Sequence, residues 1–385
     1  MERRKHRWKK IVQPVGFLLI LGLIFGAIGS KMGMVNMLGT LMNTAYALLL
    51  DTVFYIMAVA VIAGALSALL SEFGVVSLIN KVLSPLMKPI FGLPGAASLG
   101  IVTTYLSDNP AILALSHDNG FRKYFKKYQL PALTNIGTAF GMGAIVTTAM
   151  LGIHSPKGES FLIAVLAGNL GAVVGSIIST RLMLLKTAKV YGKTDFCDES
   201  AHKKDEKEEV KGSQSLGMRV IDALMNGGKS GVELGLDIIP GVLIICTLVL
   251  MLTNGASADG SYTGGAYEGV AFLPWLGDQL SFLLKPLFGF SSAEGIAVPI
   301  TALGSAGAAI GLVPKLVASG NATAGDVAVF TAMCMCWSGY LSTHVAMMDN
   351  LKCSKLTGHA IFAHTIGGLC AGIAANWLYQ LIMLS

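Results

Sequence analysis

Charged residues are scarce in this chain. Of its 385 residues only 13% are Asp, Glu, Lys or Arg, whereas 53% are hydrophobic and the mean hydropathy is +0.65. A soluble domain carries about twice that share of charge, so an ordinary soluble protein is excluded. The apolar runs have the length of crossing helices, so we expect an all-α polytopic membrane protein.

Cysteine pairs and catalytic motifs are also missing. The six cysteines form no CxxC pair and most lie in apolar runs, so we interpret them as reduced packing residues. Cys334 and Cys336 would point to different sides of a helix, which disfavours a metal site. The chain has no phosphate loop and no nucleophile–base motif. We therefore expect no enzyme, no metal site and no cofactor.

The basic residues that are present lie in clusters, at 2–10, 122–127 and 181–211. Basic clusters beside apolar spans mark the cytoplasmic side of a membrane, so nucleic acid is not an expected partner. The basic head and the apolar run 15–29 predict a retained first helix rather than a signal peptide. We expect a multi-pass protein of the bacterial cytoplasmic (inner) membrane with its N-terminus in the cytoplasm.

One ten-residue segment occurs twice. Residues 83–92, LSPLMKPIFG, return at 280–289 as LSFLLKPLFG, with seven of ten identical at an offset of 197. At the same offset, 133–152 matches 330–349 without a gap. A repeat of this length predicts two homologous halves, and such halves usually build one substrate pathway between them.

The apolar spans predict how each half crosses the membrane. After the first helix, crossing spans lie at about 50–70, 128–152, 160–185, 231–252, 325–349 and 358–383. Segments 70–128 and 253–324 are apolar but broken by proline and glycine, which predicts a short Pro-containing helix and a re-entrant hairpin in each. A kinked crossing helix is the alternative. Each repeat then makes three crossings, and an odd number implies inverted repeats.

These spans divide the chain into four parts. The cytoplasmic basic head and first transmembrane helix occupy 1–44, and the first repeat occupies 45–186. A charged cytoplasmic linker occupies 187–230, and we expect its mixed-charge stretch 189–215 to be disordered. The second, inverted repeat occupies 231–385.

The predicted hairpin tips carry the first candidate site residues. Each tip brings together the ends of two half-helices, whose free backbone groups can bind an ion or a polar solute. Tip one offers Ser107, Asp108 and Asn109, and tip two offers Gly304 and Ser305. Asp108 is the most informative, because a carboxylate inside a membrane is costly and usually functional or paired. Its alternative role is to cap the half-helix that follows.

The helices after the hairpins carry the remaining candidates, which are Asn135 and Thr138 in the first repeat and Thr331, Ser338 and Ser342 in the second. On a regular helix the three second-repeat residues fall near one line together with Asp349, which predicts a polar stripe facing the pathway. The alternative is that these hydroxyls bond back to their own backbone. His344 lies about 140° from the stripe on such a helix. We interpret it as a packed neutral histidine unless a break at Gly339 turns it inward.

A Pro-containing short helix, a broken hairpin and two further helices, present twice in inverted order, resemble the Gate or nucleoside-recognition fold. Concentrative nucleoside transporters, the membrane part of the ferrous iron transporter and the spore maturation proteins A and B share it. The segments TTYLSDNP at 103–110 and CWSGYLSTH at 336–344 are most similar to uncharacterised bacterial members. The resemblance implies architecture more than substrate.

The resemblance implies a secondary active transporter that moves a small polar solute, nucleoside-like or another metabolite, by alternating access. The resemblance leaves open whether transport is coupled to Na⁺ or H⁺ and whether the protein forms a homo-oligomer. Expected partners are the small-molecule solute and the lipid bilayer. The alternatives are a non-transporting membrane partner of the spore-maturation type and a divalent metal permease. Nucleoside transporters of this fold carry glutamates on hairpin one and on the later broken helix, which this chain lacks, so ribose would lose a charged acceptor.

Overall fold

A computed structural model describes residues 2–107, 111–112, 115, 119–197, 215–237, 239–257, 259–338 and 340–384. Over this part the chain is all-helical, apart from one isolated bridge between Lys126 and Phe196. The 4 helices long and apolar enough to cross a membrane within it are Val12–Met32, Met34–Glu72, Leu162–Tyr191 and Ser354–Leu384. The protein is therefore an all-α multi-pass membrane protein, as predicted.

The first half contains these elements in chain order: α1 (Glu2–Met32), α2 (Met34–Leu48), the π-helical turn π1 (Leu49–Val53), α3 (Phe54–Glu72), α4 (Val75–Phe91), α5 (Ala97–Leu106), α6 (Asn119–Arg122), α7 (Ala132–Thr138), α8 (Gly143–Leu151) and α9 (Leu162–Tyr191). Here α2, π1 and α3 run on as long helix one. The helix α4 holds the first copy of the repeated segment, and α5 is the first arm of hairpin one.

The second half contains α10 (Leu216–Asp237), the π-helical turn π2 (Gly241–Cys246), α11 (Thr247–Thr253), α12 (Phe272–Gln279), α13 (Ser281–Phe288), a 3₁₀ turn (Ala293–Ile296), α14 (Ala297–Gly304), α15 (Ala306–Ala318), α16 (Ala324–Cys336), α17 (Ser342–Asn350), a 3₁₀ turn (Ser354–Leu356) and α18 (Thr357–Leu384). We call α10, π2 and α11 long helix two. Hairpin two consists of α14 and α15.

Helices run across two of the predicted divisions. The division at residue 44 falls inside long helix one, because no glycine or proline interrupts the chain between Gly39 and Gly64. The linker 187–230 is helical at both ends, since α9 continues to Tyr191 and α10 begins at Leu216. The first turns of α10 carry polar residues and so escape a hydropathy criterion. Arg219 binds Glu72 at the end of α3 at 2.8 Å, which fixes this helical start.

Both helices that follow the hairpins are broken at matching places. The first breaks between α7 and α8 at 139–142, and the second between α16 and α17 at 337–341. Met142 adopts a φ of 55°, a left-handed conformation that an ordinary helix does not contain. Hairpin two turns at Ser305 alone, and α13 meets the helix Ala293–Gly304 at a bend of 77°.

Glycine contacts hold the two long helices together. A Cβ on Gly64 of α3 would lie 2.5 Å from the carbonyl oxygen of Gly227 on α10, and one on Gly231 would collide with the backbone at Ala60. Small residues let membrane helices approach closely enough for extensive van der Waals contact. The two halves therefore meet backbone to backbone along α3 and α10.

A carboxylate binds the loop 254–271 to α2. Glu268 is 5% exposed and accepts hydrogen bonds from the hydroxyls of Ser257 (2.7 Å) and Thr263 (2.6 Å) and from the amide of Gly264 (3.1 Å). Burial alone would raise its pKa, but these hydrogen bonds lower the pKa of Glu268 to about 2. On α2, Asn43 donates to the Gly264 carbonyl at 2.8 Å. The loop is thus anchored to the first half.

Candidate functional site

A cavity of about 350 Å³ lies where hairpin one meets the long helices. Its walls come from α3, α5, α8 and α10, so both halves of the chain contribute. Ligand cavities for small molecules have volumes of about 300–1,000 Å³. The cavity is therefore large enough for a small solute.

Hydroxyl groups supply the polarity of this cavity. The hydroxyl-bearing residues that line it are Ser67, Ser71, Thr103, Ser107 and Ser230, and none of its described lining residues is charged. The hydroxyl of Thr103 donates to the Leu99 carbonyl at 2.8 Å and that of Ser230 donates to the Asn226 carbonyl at 3.2 Å. A hydroxyl that donates in this way keeps lone pairs with which to accept a hydrogen bond. The cavity can thus bind a neutral donor-bearing solute.

Of the predicted tip-one residues, Ser107 lines this cavity, immediately after the end of α5. Asp108 and Asn109 lie outside the described residues. Ser107 has a φ of −128° and a ψ of −105°, so the helix ends there, and its amide donates to the Thr103 carbonyl at 3.0 Å. The break predicted at the hairpin tip is therefore present on its α5 side.

The predicted tip-two residues lie beside long helix two. The hydroxyl of Ser305 accepts from the Ala308 amide at 3.2 Å and so caps α15. A Cβ on Gly241 at the start of π2 would lie 2.7 Å from that hydroxyl, and one on Gly304 would lie 2.7 Å from Ile245. Gly304 and Ser305 thus contact π2 and do not line the cavity at hairpin one.

The predicted polar stripe on the second broken helix is wrong. A line drawn through Thr331, Ser338 and Ser342 assumes one regular helix, but α16 ends at Cys336 and α17 begins at Ser342. Thr331 donates to the Val327 carbonyl at 2.7 Å and packs against α9. Ser338 is buried within the break.

The two predicted residues of the first broken helix are buried and hydrogen-bonded. Thr138 donates to the Thr134 carbonyl on its own helix at 2.7 Å. Asn135 donates to the Ser179 hydroxyl on α9 and to the Ala360 carbonyl on α18, both at 2.9 Å. Neither residue lines the cavity at hairpin one. Asn135 instead belongs to a polar cluster that connects α7, α9 and α18.

Hairpin one is held by a polar cluster that the sequence analysis missed. The hydroxyl of Tyr105 lies 3.0 Å from the hydroxyl of Thr147 on α8 and donates to the side-chain carbonyl of Asn169 on α9 at 2.9 Å. Its ring covers Gly143, where a Cβ would collide with it. The absence of a side chain at Gly143 is the only sequence signal for this contact.

A second polar cluster lies at the break between α16 and α17. His344 on α17 and His364 on α18 are fully buried, with ring centroids 4.7 Å apart. The Tyr340 hydroxyl is hydrogen-bonded to Thr365. The break near Gly339 was an alternative in the sequence analysis, and the contact between the two histidines was not predicted. Within the described residues, no group of three His, Cys, Asp or Glu side chains could hold a metal ion.

Comparison with known proteins places this architecture among solved folds. No protein-family model matches the chain. An uncharacterized protein of Alkalihalophilus pseudofirmus is 28% identical over 115 residues, which are 29% of this chain and 24% of that protein. The chain thus covers about a quarter of that relative.

Structures of CNTnw, a concentrative nucleoside transporter, are similar over nearly the whole chain. A double variant in an outward-facing state has a TM-score of 0.55 at 14% identity, covering 99% of this chain and 88% of that one. The inward-facing substrate-bound state has a TM-score of 0.52 at 14% identity, covering 99% and 87%. An intermediate state has a TM-score of 0.54 at 16% identity, covering 97% and 86%. This chain therefore has the fold of the concentrative nucleoside transporter structures.

Proposed function

We propose that this protein is a secondary active transporter that carries a small, polar, uncharged solute across the membrane by alternating access. The observation that carries the proposal is the hydroxyl-lined cavity between hairpin one and the two long helices. A solute held there would contact both halves of the chain, and a movement of one half against the other would change which side can reach it.

The fold supports this mode of action. The CNTnw structures with this fold are described in outward-facing, intermediate and inward-facing states, and each has a TM-score above 0.5 against this chain. The same arrangement of helices is thus compatible with openings on both sides. We extend that property to this chain as part of the proposal.

The lining favours a neutral solute. An ion moved into this cavity would lose water without gaining a charged partner from the described lining residues, which is unfavourable at membrane depth. A neutral molecule with several donors could instead use the hydroxyl oxygens. A nucleoside, a nucleobase or a small sugar has this chemistry. A role for Asp108 in Na⁺ or H⁺ coupling remains a prediction.

Ligand binding followed by uptake tests the proposal. The full chain, purified in detergent, is screened by thermal shift against uridine, adenosine, uracil, glucose and alanine, with and without NaCl. A compound that stabilises the protein is then followed as a radiolabelled solute in proteoliposomes. We expect uptake against a gradient, and about a tenfold loss of affinity in S107A, because one hydrogen bond contributes about 1–1.5 kcal/mol.

S319A is the matched control, because Ser319 is exposed at the end of α15 and its hydroxyl bonds only within its own turn. It should bind and transport like the wild type. Absence of binding and uptake across the panel contradicts the transport proposal. An equal loss in S107A and S319A contradicts the assignment of the cavity.

A further inference from the structure

The hydrogen bonds of the buried histidine pair determine where each ring carries its proton. Nδ1 of His344 lies 2.5 Å from the Tyr340 carbonyl oxygen, and Nε2 of His364 is bonded to the Cys336 carbonyl oxygen. A carbonyl can only accept, so both of these nitrogens carry hydrogen. On His364 the other nitrogen, Nδ1, lies 3.0 Å from the Ser179 hydroxyl.

A chain of hydrogen bonds occupies that remaining nitrogen of His364. Asn135 donates its amide N–H to the Ser179 oxygen at 2.9 Å, so the Ser179 hydroxyl donates onward to Nδ1 of His364. Protonation of Nδ1 would reverse this bond and would leave the Ser179 hydrogen in need of another acceptor. His364 is therefore fixed as a neutral imidazole with all its hydrogen-bonding capacity used.

His344 is different, because one nitrogen remains open. Its side chain is fully buried, and Nε2 has no hydrogen-bond partner among the described residues. With the hydrogen on Nδ1, Nε2 keeps a lone pair to which no described donor is bonded. A buried acceptor without a donor costs free energy. It is also the one ring nitrogen of the pair that can gain a hydrogen without losing a bond.

The first half contains a contact between α8 and α9 that resembles the contact of this pair between α17 and α18. At the offset of 197, His344 corresponds to Thr147. His364 is the eighth residue of α18, and Asn169 is the eighth residue of α9. In the first half, the Asn169 side-chain amide donates to the Thr147 hydroxyl at 3.1 Å. The first half thus fills this place with groups that cannot titrate near neutral pH, and the second half fills it with two that can.

We propose that the His344–His364 pair is a proton-binding site in which Nε2 of His344 accepts the proton. The lone pair of Nε2 forms the new N–H bond with a proton from hydronium, whose O–H bond breaks to leave water, and the ring gains one positive charge. Both imidazole N–H groups already donate to carbonyls at the break, and a cationic ring strengthens such bonds. The C-terminal end of α16 at Cys336 adds a partial negative charge. With ring centroids 4.7 Å apart, the pair takes only one proton.

The neighbouring elements contribute few other ionisable groups. The helix α17 packs against α7, α18 and the turn Ser354–Leu356. Helix α7 carries no ionisable residue, and the ionisable residues of α18 are His364, His359 about one and a half turns before it, and Cys370 and Tyr379 further along. The phenol of Tyr340 faces both rings, and Lys355 is exposed on the turn. On α17 itself, Asp349 is exposed and binds the Ser354 hydroxyl. His364 and Tyr340 are thus the titratable groups whose rings contact His344.

Proton binding here does not depend on transport. If the protein transports a solute as proposed above, this site would be the place where proton movement is coupled to that transport. This coupling role, unlike proton binding itself, rests on the proposed function. Protonation would then change the charge at the break that joins α16 to α17. The first half has no corresponding change, so the coupling would act on one half alone.

Solid-state NMR of ¹⁵N-histidine-labelled full-length protein in liposomes tests the site directly. A through-space correlation between the two rings identifies the pair without any substitution. At about pH 8 we expect two neutral rings, one with its hydrogen on Nδ1 and one on Nε2. As the pH falls below the ordinary histidine range, Nε2 of the first ring should gain a hydrogen while the second ring is unchanged. The proposal is overturned if that nitrogen stays unprotonated until the protein unfolds, or if the second ring takes the proton first.

The first half of the chain supplies the matched variant. H344T/H364N places the Thr147–Asn169 side chains in the second half and should remove the titration; its thermal unfolding transition, expected at a lower temperature because two buried rings are lost, checks that the variant is folded. H359Q should leave the titration unchanged. A titration at the pair without uptake of any solute would leave the proton site standing and remove the transport proposal. Uptake of a solute without titration of the pair would overturn the proton site and leave the transport proposal standing.

Discussion

Replacement of Glu268 by glutamine should release the loop 254–271 from the first half. The carboxylate accepts from five donors, which are the hydroxyls of Thr40, Ser257 and Thr263 and the amides of Thr263 and Gly264. A glutamine side chain has only one acceptor oxygen, and the hydrogens of its NH₂ group would face the N–H and O–H donors of this site. E268Q therefore loses both the charge and part of the acceptor capacity of this site.

The size of the effect follows from these bonds. A hydrogen bond to a charged group contributes about 1.5–3 kcal/mol, so the loss of one such bond and the weakening of the others should cost about 3 kcal/mol. Each 1.4 kcal/mol is a factor of ten in an equilibrium constant. The loop amides of Thr263 and Gly264 should consequently exchange with solvent about 100-fold faster.

Hydrogen–deuterium exchange on the purified full chain measures this change. D259N is the control, because Asp259 is an exposed carboxylate of the same loop whose side chain accepts from the amide and hydroxyl of Ser261 and not from Gly264 within the described residues. Its exchange pattern at Gly264 should match the wild type. Equal exchange in E268Q and the wild type, or equal acceleration in both variants, would refute the role given to Glu268.

The same carboxylate predicts a pH dependence. The pKa of Glu268 is about 2, below the ordinary value of 4.5. Because the folded-state pKa is the lower one, its contribution is fully present above pH 4.5, declines below it and is lost as the pH falls through about 2. Protection of the Gly264 amide should follow this course in the wild type and be flat over the same range in E268Q.

Two further substitutions test the packing at the cavity. G227A should destabilise the protein by about 1–3 kcal/mol in a denaturant titration, because its Cβ would collide with a carbonyl of α3. G228A on the same helix is the control. Its Cβ would make only an ordinary contact at 3.5 Å, so this variant should be neutral or slightly stabilising. Y105F should cost about 1 kcal/mol in the same titration. The loss is limited because Thr147 and Asn169 remain bonded to each other at 3.1 Å. An unchanged midpoint in Y105F would show that the tyrosine hydroxyl does not hold hairpin one.

The parts of the fold that glycine, proline and the repeat mark were predictable from the sequence. The turn at Ser305 falls where a run of small residues interrupts hairpin two, and the match between 133–152 and 330–349 implied that both helices share one design. The sequence analysis put the second crossing span at about 50–70, whereas long helix one begins at Met34. An apolar stretch without breakers gives no sign of where a helix begins.

The candidate site was predicted only in part, because the sequence did not show where the second broken helix is interrupted. Ser107 lines the cavity, but the stripe through Thr331 assumed a helix that is in fact broken at 337–341. A helical wheel cannot follow side chains across a break. His344 and His364 lie 20 residues apart on separate helices, and only the packing of α17 against α18 brings them together.

The two π-helical turns have a consequence for how the long helices can move. Pro240 has no N–H to donate, and π2 begins directly after it, while π1 interrupts the other long helix and contacts π2. Each wider turn holds one residue more than an α-helical turn, so the helix beyond it is rotated by about 100°. Shifting that extra residue by one position along the chain would turn part of the helix about its axis while nearly all backbone hydrogen bonds persist. Because the two π-helical turns are in contact, such a rotation in one long helix would be transmitted to the other.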